Sequence, residues 1–396
     1  MKSHDRWSSL AVSVIMLLPL ALAGCYIHVG GSGQAKYEKT VERQVAAGTS
    51  TTLDVATPSG SISITGTDAN DCHITARIVA HAPTEEEARE LAEQVELRSE
   101  VEGETLKIQA DKPDLANNRS ISISYTVTVP RRMSVLATSD YGRLDVVGMH
   151  SSVKGKTGSG SIRAEGIQSS LDLNTSYGSI KCRDIAGPTV LLHSGSGSIM
   201  IAEFKGSAKL VTSYGSISCT GGSGDQLELK SGSGSIRLSG LSFANCLAVT
   251  DYGSVICNGF KGNALKLRSS SGSVRLGAAQ AGTVDLHTSY GRVEARQVTT
   301  GEVLAHSGSG GIDIQCSESC PPDLKATAKC SYGSIAFQAP PRFAGAVRLA
   351  TDYGSVRTAL PITVTGGVDK KNITGTIGAG TGTLHLETAS GSIELK

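Results

Sequence analysis

Recurrent aspartates are the first residues in this sequence whose spacing could support catalysis. Asp140, Asp251 and Asp352 each precede a tyrosine in a repeated motif. Enzymes that cleave polysaccharides hold two carboxylates close together, and calcium sites also gather several carboxylate oxygens. If each copy of the motif forms one turn of a stacked structure, these aspartates lie several turns apart and cannot act together. We therefore expect solvated carboxylates here and no catalytic centre.

Histidines recur at a spacing that could bind a metal. His287 and His306 occupy equivalent outward positions in adjacent copies of the motif, and His193 holds the same position in a distant copy. A metal site needs at least a third ligand and groups that orient the imidazoles, and the sequence supplies neither nearby. We expect no metal and no other cofactor.

Nine cysteines provide the remaining reactive side chains. Three of them share the phase of the apolar residues, which predicts small buried thiols: Cys182, Cys219 and Cys257. Cys316 and Cys320 lie in an inserted loop next to two prolines and form the best candidate disulfide, with Cys330 as a competitor. Disulfides are expected in exported proteins.

The first 25 residues are typical of an export signal. Lys2 and Arg6 precede an apolar stretch from Leu10 to Leu22, which is short for a membrane span. The stretch ends in Leu22-Ala23-Gly24-Cys25, which resembles the lipobox of bacterial lipoproteins. That resemblance implies acylation of Cys25, membrane attachment through the lipid, and a position at the outer membrane, cell surface or periplasm. We expect a flexible tether over 26–44.

Charge excludes one class of partner and glycine content suggests a fold. The chain has 396 residues, with 37 Lys and Arg against 36 Asp and Glu, so it has no electrostatic reason to bind nucleic acid. Its 47 glycines and 39% hydrophobic residues indicate short buried strands between tight turns. Five basic residues share one outward position in their repeats and could contact an acidic glycan, although such rows usually serve solubility: Arg163, Lys181, Arg237, Arg275 and Arg357.

A motif of the form Thr/Ser-x-Tyr/Ser-Gly-Ser-Ile dominates the chain from end to end. Between Gly142 and Gly310 its glycines recur every 18 or 19 residues, and an aliphatic residue follows each glycine by two positions. Apolar residues alternate on both sides of the glycine, but the phase changes across it. Period-two alternation predicts strands with one buried face, and the phase change predicts a corner between two strands.

A unit of about 19 residues cannot bury its own apolar face and must stack on its copies. The sequence therefore predicts a right-handed parallel β-helix over 131–396. Between Gly142 and Gly310 a tyrosine precedes the glycine in every other repeat, which gives a second period of about 37 residues. Seven tyrosines in all hold this position: Tyr141, Tyr177, Tyr214, Tyr252, Tyr290, Tyr332 and Tyr353. One turn could thus be about 37 residues; we favour about 19, with large and small side chains alternating along one packed corner. A sugar-stacking surface is the less favoured interpretation of these tyrosines.

The region 45–130 interrupts the repeats. A helix is expected after Pro83, with Thr84 and Glu87 as a capping box and an apolar face that includes Leu91. Strands on either side would let this unit cover the first turn of the solenoid.

These features together resemble the bacterial "putative adhesin" β-strand-repeat family, a domain of unknown function. The strand Tyr125–Pro130, the Thr/Ser-x-x-Gly-Ser-Ile repeats and the closing segment from Gly375 to Ile393 carry the resemblance over about 45–396. The family name implies surface adhesion. We expect a non-enzymatic envelope lipoprotein that presents a solenoid as an adhesin or scaffold, with a surface glycan or envelope protein as partner. The alternative is a carbohydrate-active enzyme or glycan-binding module.

Overall fold

The computed structural model describes residues 34–365 and 369–396. The signal segment 1–25, with the predicted lipid site Cys25, lies outside the described residues. Strands account for 68% of the chain and helix for 2%. The one helix described is α1 (Glu85–Glu93). The strands up to residue 157 are β1 (Ala35–Ala46), β2 (Thr52–Ser59), β3 (Ile62–Thr67), β4 (Asp71–Ala82), β5 (Glu96–Glu102), β6 (Thr105–Asp111), β7 (Ser120–Pro130), β8 (Ser134–Tyr141), β9 (Leu144–Val147) and β10 (Val153–Thr157).

The strands that follow build the rest of the solenoid. They are β11 (Ile162–Ile167), β12 (Leu171–Thr175), β13 (Ile180–Ser194), β14 (Ile199–Thr212), β15 (Ile217–Ser231), β16 (Ile236–Thr250), β17 (Val255–Ser269), β18 (Val274–Thr288), β19 (Val293–Ser307), β20 (Ile312–Cys316), β21 (Lys325–Tyr332), β22 (Ile335–Gln338), β23 (Gly345–Tyr353), β24 (Val356–Thr358), β25 (Thr363–Val364), β26 (Asn372–Ile377), β27 (Gly382–Ser390) and β28 (Ile393–Leu395).

Each copy of the motif forms one coil. In the parallel pair β16–β17, Ile236 lies opposite Val255 and Thr250 lies opposite Ser269, a shift of 19 residues. The solenoid has about 11 turns with repeats about 19 residues apart. The prediction of a 19-residue coil is confirmed, and the 37-residue alternative is wrong.

The interior of the solenoid is a stack of alternating apolar side chains. In β17 the side chains of Val255, Cys257, Phe260, Leu265 and Leu267 are buried, while their immediate neighbours in the strand are half-buried or exposed. An isolated coil would expose this face, so burial depends on the neighbouring coils above and below. Phe204 and Phe243 fill the wider part of the interior, with ring centroids 5.6 Å apart.

The corner glycines are required by close backbone stacking. A Cβ added to Gly215 would lie 2.1 Å from the carbonyl oxygen of Gly197, the equivalent glycine one coil away. Most of these glycines do not have a positive φ, so space decides the residue type here and backbone conformation does not. Thirteen corner glycines stack on an equivalent glycine in this way, the first of them on Gly60: Gly142, Gly160, Gly178, Gly197, Gly215, Gly234, Gly253, Gly272, Gly291, Gly310, Gly333, Gly391 and Gly354.

From Gly142 to Gly291, a second bend follows six residues after each corner glycine and depends on a left-handed residue. Glycine supplies it in several coils, as at Gly240 (φ +61°) and Gly259 (φ +75°). Other coils place a non-glycine residue there, as at Glu203 (φ +55°) and Gln297 (φ +53°). A side chain in this conformation costs free energy, so these coils carry local strain.

The N-terminal region covers the first coil. Strand β7 pairs with β3 in parallel and with β4 antiparallel, and β1 pairs with β4 antiparallel along its whole length. The expected tether over 26–44 is therefore wrong from Ala35 onward, because these residues form β1. The predicted helix is confirmed, with the Thr84 side chain accepting from the Glu87 N–H at 3.3 Å. The Glu87 carboxylate instead accepts from Arg119 at 2.8 Å, so the structure records only half of the expected capping box.

The C-terminal coils are stacked out of chain order. Strand β27 pairs in parallel with β21 on one side and β23 on the other, and β28 likewise lies between β22 and β24. The segment that comes later in the chain thus inserts between two earlier coils. Strand β26 then pairs antiparallel with β23 and covers the last coil.

Candidate functional site

The seven motif tyrosines lie on the outer surface of the solenoid. Each side chain is 68 to 78% exposed. The expectation that these tyrosines pack into the corner was wrong, because the buried position belongs to the Ser or Thr two residues earlier, such as Thr250 before Tyr252. We call this row of seven the tyrosine ladder.

The tyrosine ladder has a period of two coils over its entire length. In the coils between the tyrosines, an exposed serine occupies the same position, as Ser271 does between Tyr252 and Tyr290. With strands about 4.8 Å apart, successive tyrosines are about 9.6 Å apart along the rod. The whole ladder from Tyr141 to Tyr353 spans twelve coil steps, or roughly 60 Å.

The period is kept where the chain order is broken. Along the chain, Tyr332 and Tyr353 come in consecutive motifs with no serine-type motif between them. In space, Ser390 lies opposite Tyr332 on one side and opposite Tyr353 on the other. The alternation of tyrosine and serine therefore holds for neighbouring coils even where it fails for neighbouring repeats.

Backbone hydrogen bonds fix the base of each tyrosine. The Tyr252 N–H donates to the Gly232 carbonyl at 3.1 Å, and the Tyr290 N–H donates to the Ser270 carbonyl at 3.0 Å. Beside the ladder runs a row of half-buried serines that follow the corner glycines. In this row the Ser254 N–H donates to Ser235 Oγ at 3.3 Å, and the Ser273 N–H donates to Ser254 Oγ at the same distance. The surface is rigid, aromatic at intervals and rich in hydroxyl groups.

A second row of hydroxyl groups lies inside the corner, and the sequence analysis missed it. Thr250 Oγ1 donates to the Gly234 carbonyl at 2.8 Å and accepts from the Gly253 N–H at 3.3 Å. Equivalent Ser or Thr residues repeat this bridge from coil to coil. The available signal was the Ser or Thr three residues before the corner glycines, a position that Cys330 holds before Gly333.

The recurrent aspartates do not come together. Asp140, Asp251 and Asp352 are exposed, and six coils separate each from the next, or about 29 Å. Within residues 34–365 and 369–396, no three His, Cys, Asp or Glu side chains are grouped to hold a metal ion. In the same residues, no helix has the length and apolar character that a membrane span requires.

His287 and His306 stack as adjacent rungs. Their ring centroids are 4.8 Å apart and the rings are nearly parallel, at 11°. Partial burial and the neighbouring His306 and Arg268 lower the pKa of His287. The lowered pKa favours the neutral imidazole of His287.

The buried cysteines are free thiols in the structure. Burial raises the pKa of Cys182 and Cys219 well above its usual range, which makes them inert packing groups. Cys330 replaces the corner hydroxyl of its coil, with Sγ donating to the Gly310 carbonyl at 3.0 Å. It therefore does not compete for the loop cysteines.

Cys316 and Cys320 form a hydrogen-bonded thiol pair where the sequence predicted a disulfide. Cys320 Sγ also donates to the Val298 carbonyl at 3.1 Å and accepts from the Thr300 N–H at 3.4 Å. The hydrogen bond from Cys316 lowers the pKa of Cys320, whereas the same bond and burial raise the pKa of Cys316.

The basic row noted in the sequence is partly neutralised. Arg163 pairs with Glu165, and Arg275 lies 3.8 Å from Glu294. At the first rung of the ladder, Arg143 pairs with Asp145 at 2.7 Å. These ion pairs reduce the attraction of this face for an anionic polymer.

Comparisons with known proteins give one family and two distant structures. A family model described as Toastrack DUF4097 matches residues 50–239 and residues 216–396. No curated protein matches significantly. A solved structure described as a putative cell adhesion protein from Clostridium sporogenes is 9% identical, with 91% of this chain and 99% of that chain covered and a TM-score of 0.22. A putative adhesin from Bacteroides fragilis is 14% identical, with 90% and 97% covered and a TM-score of 0.18. At such TM-scores neither structure carries an argument about this chain.

Proposed function

This chain belongs to the Toastrack DUF4097 family, and from that premise we propose that it is a non-enzymatic envelope protein whose rod serves as an adhesin-like binding surface or scaffold. The family resemblance predicted from the repeats is confirmed. The family description itself names no ligand and no activity, so the proposal depends on the surface of the rod.

One observation carries the proposal: a regular aromatic row runs along the rod, while the recurrent carboxylates stay apart. Seven exposed tyrosines on a rigid backbone suit binding of an extended partner, because aromatic rings with a polar tip favour interfaces. Asp140 and Asp251 are about 29 Å apart, too far to act as an acid and base on one bond. Binding without turnover fits this arrangement.

We also propose that the rod is held at a membrane through Cys25. The support is the lipobox-like segment Leu22-Ala23-Gly24-Cys25 that ends the apolar stretch. Because β1 begins at Ala35, residues 26–34 are the connection between the lipidated cysteine and the folded rod. An exported location also agrees with a surface role.

The test uses the full chain expressed in a bacterium that processes lipoproteins. We expect radiolabelled palmitate to enter the protein, the protein to fractionate with the envelope, and the Cys25→Ala variant to lose the label. Incubation with a panel of polysaccharides should release no reducing ends. Label that persists in Cys25→Ala would overturn the anchor, and release of reducing ends would establish the carbohydrate-active alternative.

A further inference from the structure

We propose that the tyrosine ladder binds an uncharged, extended β-1,4-linked glycan, with one tyrosine under every second sugar ring. The inference rests on the proposed function, since it names the ligand of the binding surface described above. Four observations lead to this class of ligand.

The spacing of the ladder matches the repeat of such a chain. Successive tyrosines are two coils apart, or about 9.6 Å. In an extended β-1,4-linked chain each sugar is turned over relative to the last, so the same ring face returns once per disaccharide, at nearly this distance. A helical α-1,4-linked chain does not return the same face along a straight line.

The two-coil spacing of the tyrosines belongs to the folded surface and does not simply follow from the spacing of the motifs in the sequence. Tyr332 and Tyr353 belong to consecutive motifs, yet the coil of Ser390 inserts between them. The two-coil period is thereby restored in space. A ligand that contacts many rungs at once explains why the tyrosines are evenly spaced along the folded rod even where their spacing in the sequence is uneven.

The gaps between the tyrosines favour a sugar over a protein or a second copy of the rod. Between Tyr214 and Tyr252 the exposed side chain is Ser233, with Gly232 before it. Protein interfaces pack a continuous desolvated core around their aromatic anchors. Here a serine separates successive rings, and its hydroxyl group can exchange hydrogen bonds with sugar hydroxyls. At the end of the ladder, Lys371 Nζ also lies 6.0 Å from the ring centroid of Tyr353.

The charge around the ladder favours an uncharged chain. The chain as a whole has a net charge of +1, and the alternating rungs are tyrosine and serine. Arg163 in the basic row is paired with Glu165, and Arg275 lies 3.8 Å from Glu294. The register also interrupts this row with uncharged or acidic residues, namely Met200, Ser218, Ile256 and Glu294. An acidic polymer would therefore find no continuous row of cations here.

The rigidity of the solenoid makes many weak contacts additive. Backbone hydrogen bonds hold the base of each tyrosine, as for Tyr252 N–H to the Gly232 carbonyl at 3.1 Å. Because the protein backbone is already ordered, it loses little conformational entropy when a glycan binds. Each added disaccharide then engages another ring without a new entropic cost of association. We expect the affinity to rise about fivefold per disaccharide, corresponding to roughly 1 kcal/mol per stacked ring.

The experiment measures binding of cellohexaose and chitohexaose to the full chain by isothermal titration calorimetry. Laminarihexaose, which is β-1,3-linked, and maltohexaose, which is α-1,4-linked, are the mismatched probes. We expect both β-1,4-linked hexamers to bind more tightly than their dimers and the mismatched hexamers to bind at least tenfold more weakly. Equal binding of all four hexamers would overturn the match of spacing.

A pair of variants separates the spacing of the rings from their number. Tyr252→Ala removes one ring, and the double variant Tyr252→Ser with Ser271→Tyr moves it by one coil while keeping seven tyrosines. Both changed positions, 252 and 271, are exposed, so circular dichroism and the melting temperature should stay unchanged. A hexamer covers three rungs, so changing Tyr252 leaves a complete three-ring site on each side, and we expect the affinity for the hexamers to be kept. A soluble β-1,4-linked polymer long enough to span all seven rungs should bind about fivefold more weakly to each variant. Full affinity of the double variant for this polymer would refute the two-coil period as the basis of recognition.

Failure here is distinguishable from failure of the proposed function. If no hexamer binds while the protein is lipidated and exported, the glycan assignment is wrong and the envelope role stands. Dimerisation that the Tyr252→Ala variant abolishes would likewise overturn the glycan in favour of a second copy of the rod.

Discussion

Replacing a single corner glycine by alanine should destabilise the whole rod. In Gly234→Ala, the new Cβ would lie 2.0 Å from the Gly215 carbonyl oxygen, 2.3 Å from its carbonyl carbon and 2.6 Å from the Ser216 nitrogen. All three atoms belong to the backbone of the neighbouring coil. None can rotate away, so the two coils must separate at this corner.

The cost follows from the hydrogen bonds at the same corner. Relief of the contact needs the coils to move apart by about 1 Å, because Cβ contacts below 3.0 Å are essentially never seen. That movement breaks the two hydrogen bonds that join the coils here, Ser231 Oγ–H to the Gly215 carbonyl (2.9 Å) and Ile217 N–H to the Ser235 carbonyl (3.0 Å). Two bonds at about 1 kcal/mol each give a loss of about 2 kcal/mol in the free energy of unfolding.

Urea denaturation followed by far-ultraviolet circular dichroism measures this loss, in a Cys25→Ala background that avoids the lipid. Gly301→Ala is the matched control, because its Cβ would lie 3.6 Å from the nearest atom and its φ is not left-handed. The control should be neutral or gain about 0.4 to 1 kcal/mol from reduced entropy of the unfolded chain. If Gly234→Ala is as stable as this control, the argument that backbone stacking demands glycine at the corner is refuted.

Four further changes test other parts of the structure. Thr250→Val should cost about 1 to 3 kcal/mol in urea denaturation, because two buried backbone groups lose their partner; Thr250→Ser should cost far less. Gln297→Gly should raise the free energy of unfolding by about 0.5 to 1 kcal/mol, because it relieves a left-handed side chain; a loss would contradict the strain. Because the pKa of His287 is lowered in the folded state, its contribution to stability is complete above about pH 6.5 and is lost as the pH falls through the lowered value. His287→Gln should therefore make the melting temperature depend less on pH over this window. An unchanged dependence of the melting temperature on pH would show that other groups cause it. Cys316→Ala should raise the pH midpoint for alkylation of Cys320, measured by mass spectrometry, because it removes the hydrogen bond that lowers the pKa of Cys320; an unchanged midpoint would assign that shift to the backbone donors.

The repeating part of the fold could be predicted because its signals are local and redundant. An aliphatic residue two positions after each glycine and the alternation on both sides specify a corner and a buried face. Val255 and Leu265 obey this rule in one coil, and equivalent residues obey it in the next. Register between coils then follows from the 19-residue step, since a shift of one residue would expose every buried side chain.

The parts that sequence reasoning missed depend on which strands become neighbours. The apolar residues of β1, such as Tyr37 and Val41, alternate only weakly with polar residues and lie near a glycine-rich segment. The sequence of β1 therefore resembled a tether, and its pairing with β4 is what identifies it as a strand. The inserted position of β27 was hidden for the same reason, because its sequence resembles any other coil. The tyrosines were assigned to the corner interior because parity alone does not say which of two adjacent turn residues is buried.

The inserted coil imposes an order of assembly on the end of the rod. Residues 325–338 and 345–358 are synthesised before 382–395, yet the later segment must lie between the two earlier ones. Until they arrive, the coil of Tyr353 has no parallel neighbour and the growing stack stops at Tyr332. A nascent chain therefore cannot finish its rod progressively from one end to the other, and loss of its final strands would remove an internal layer instead of trimming the tip.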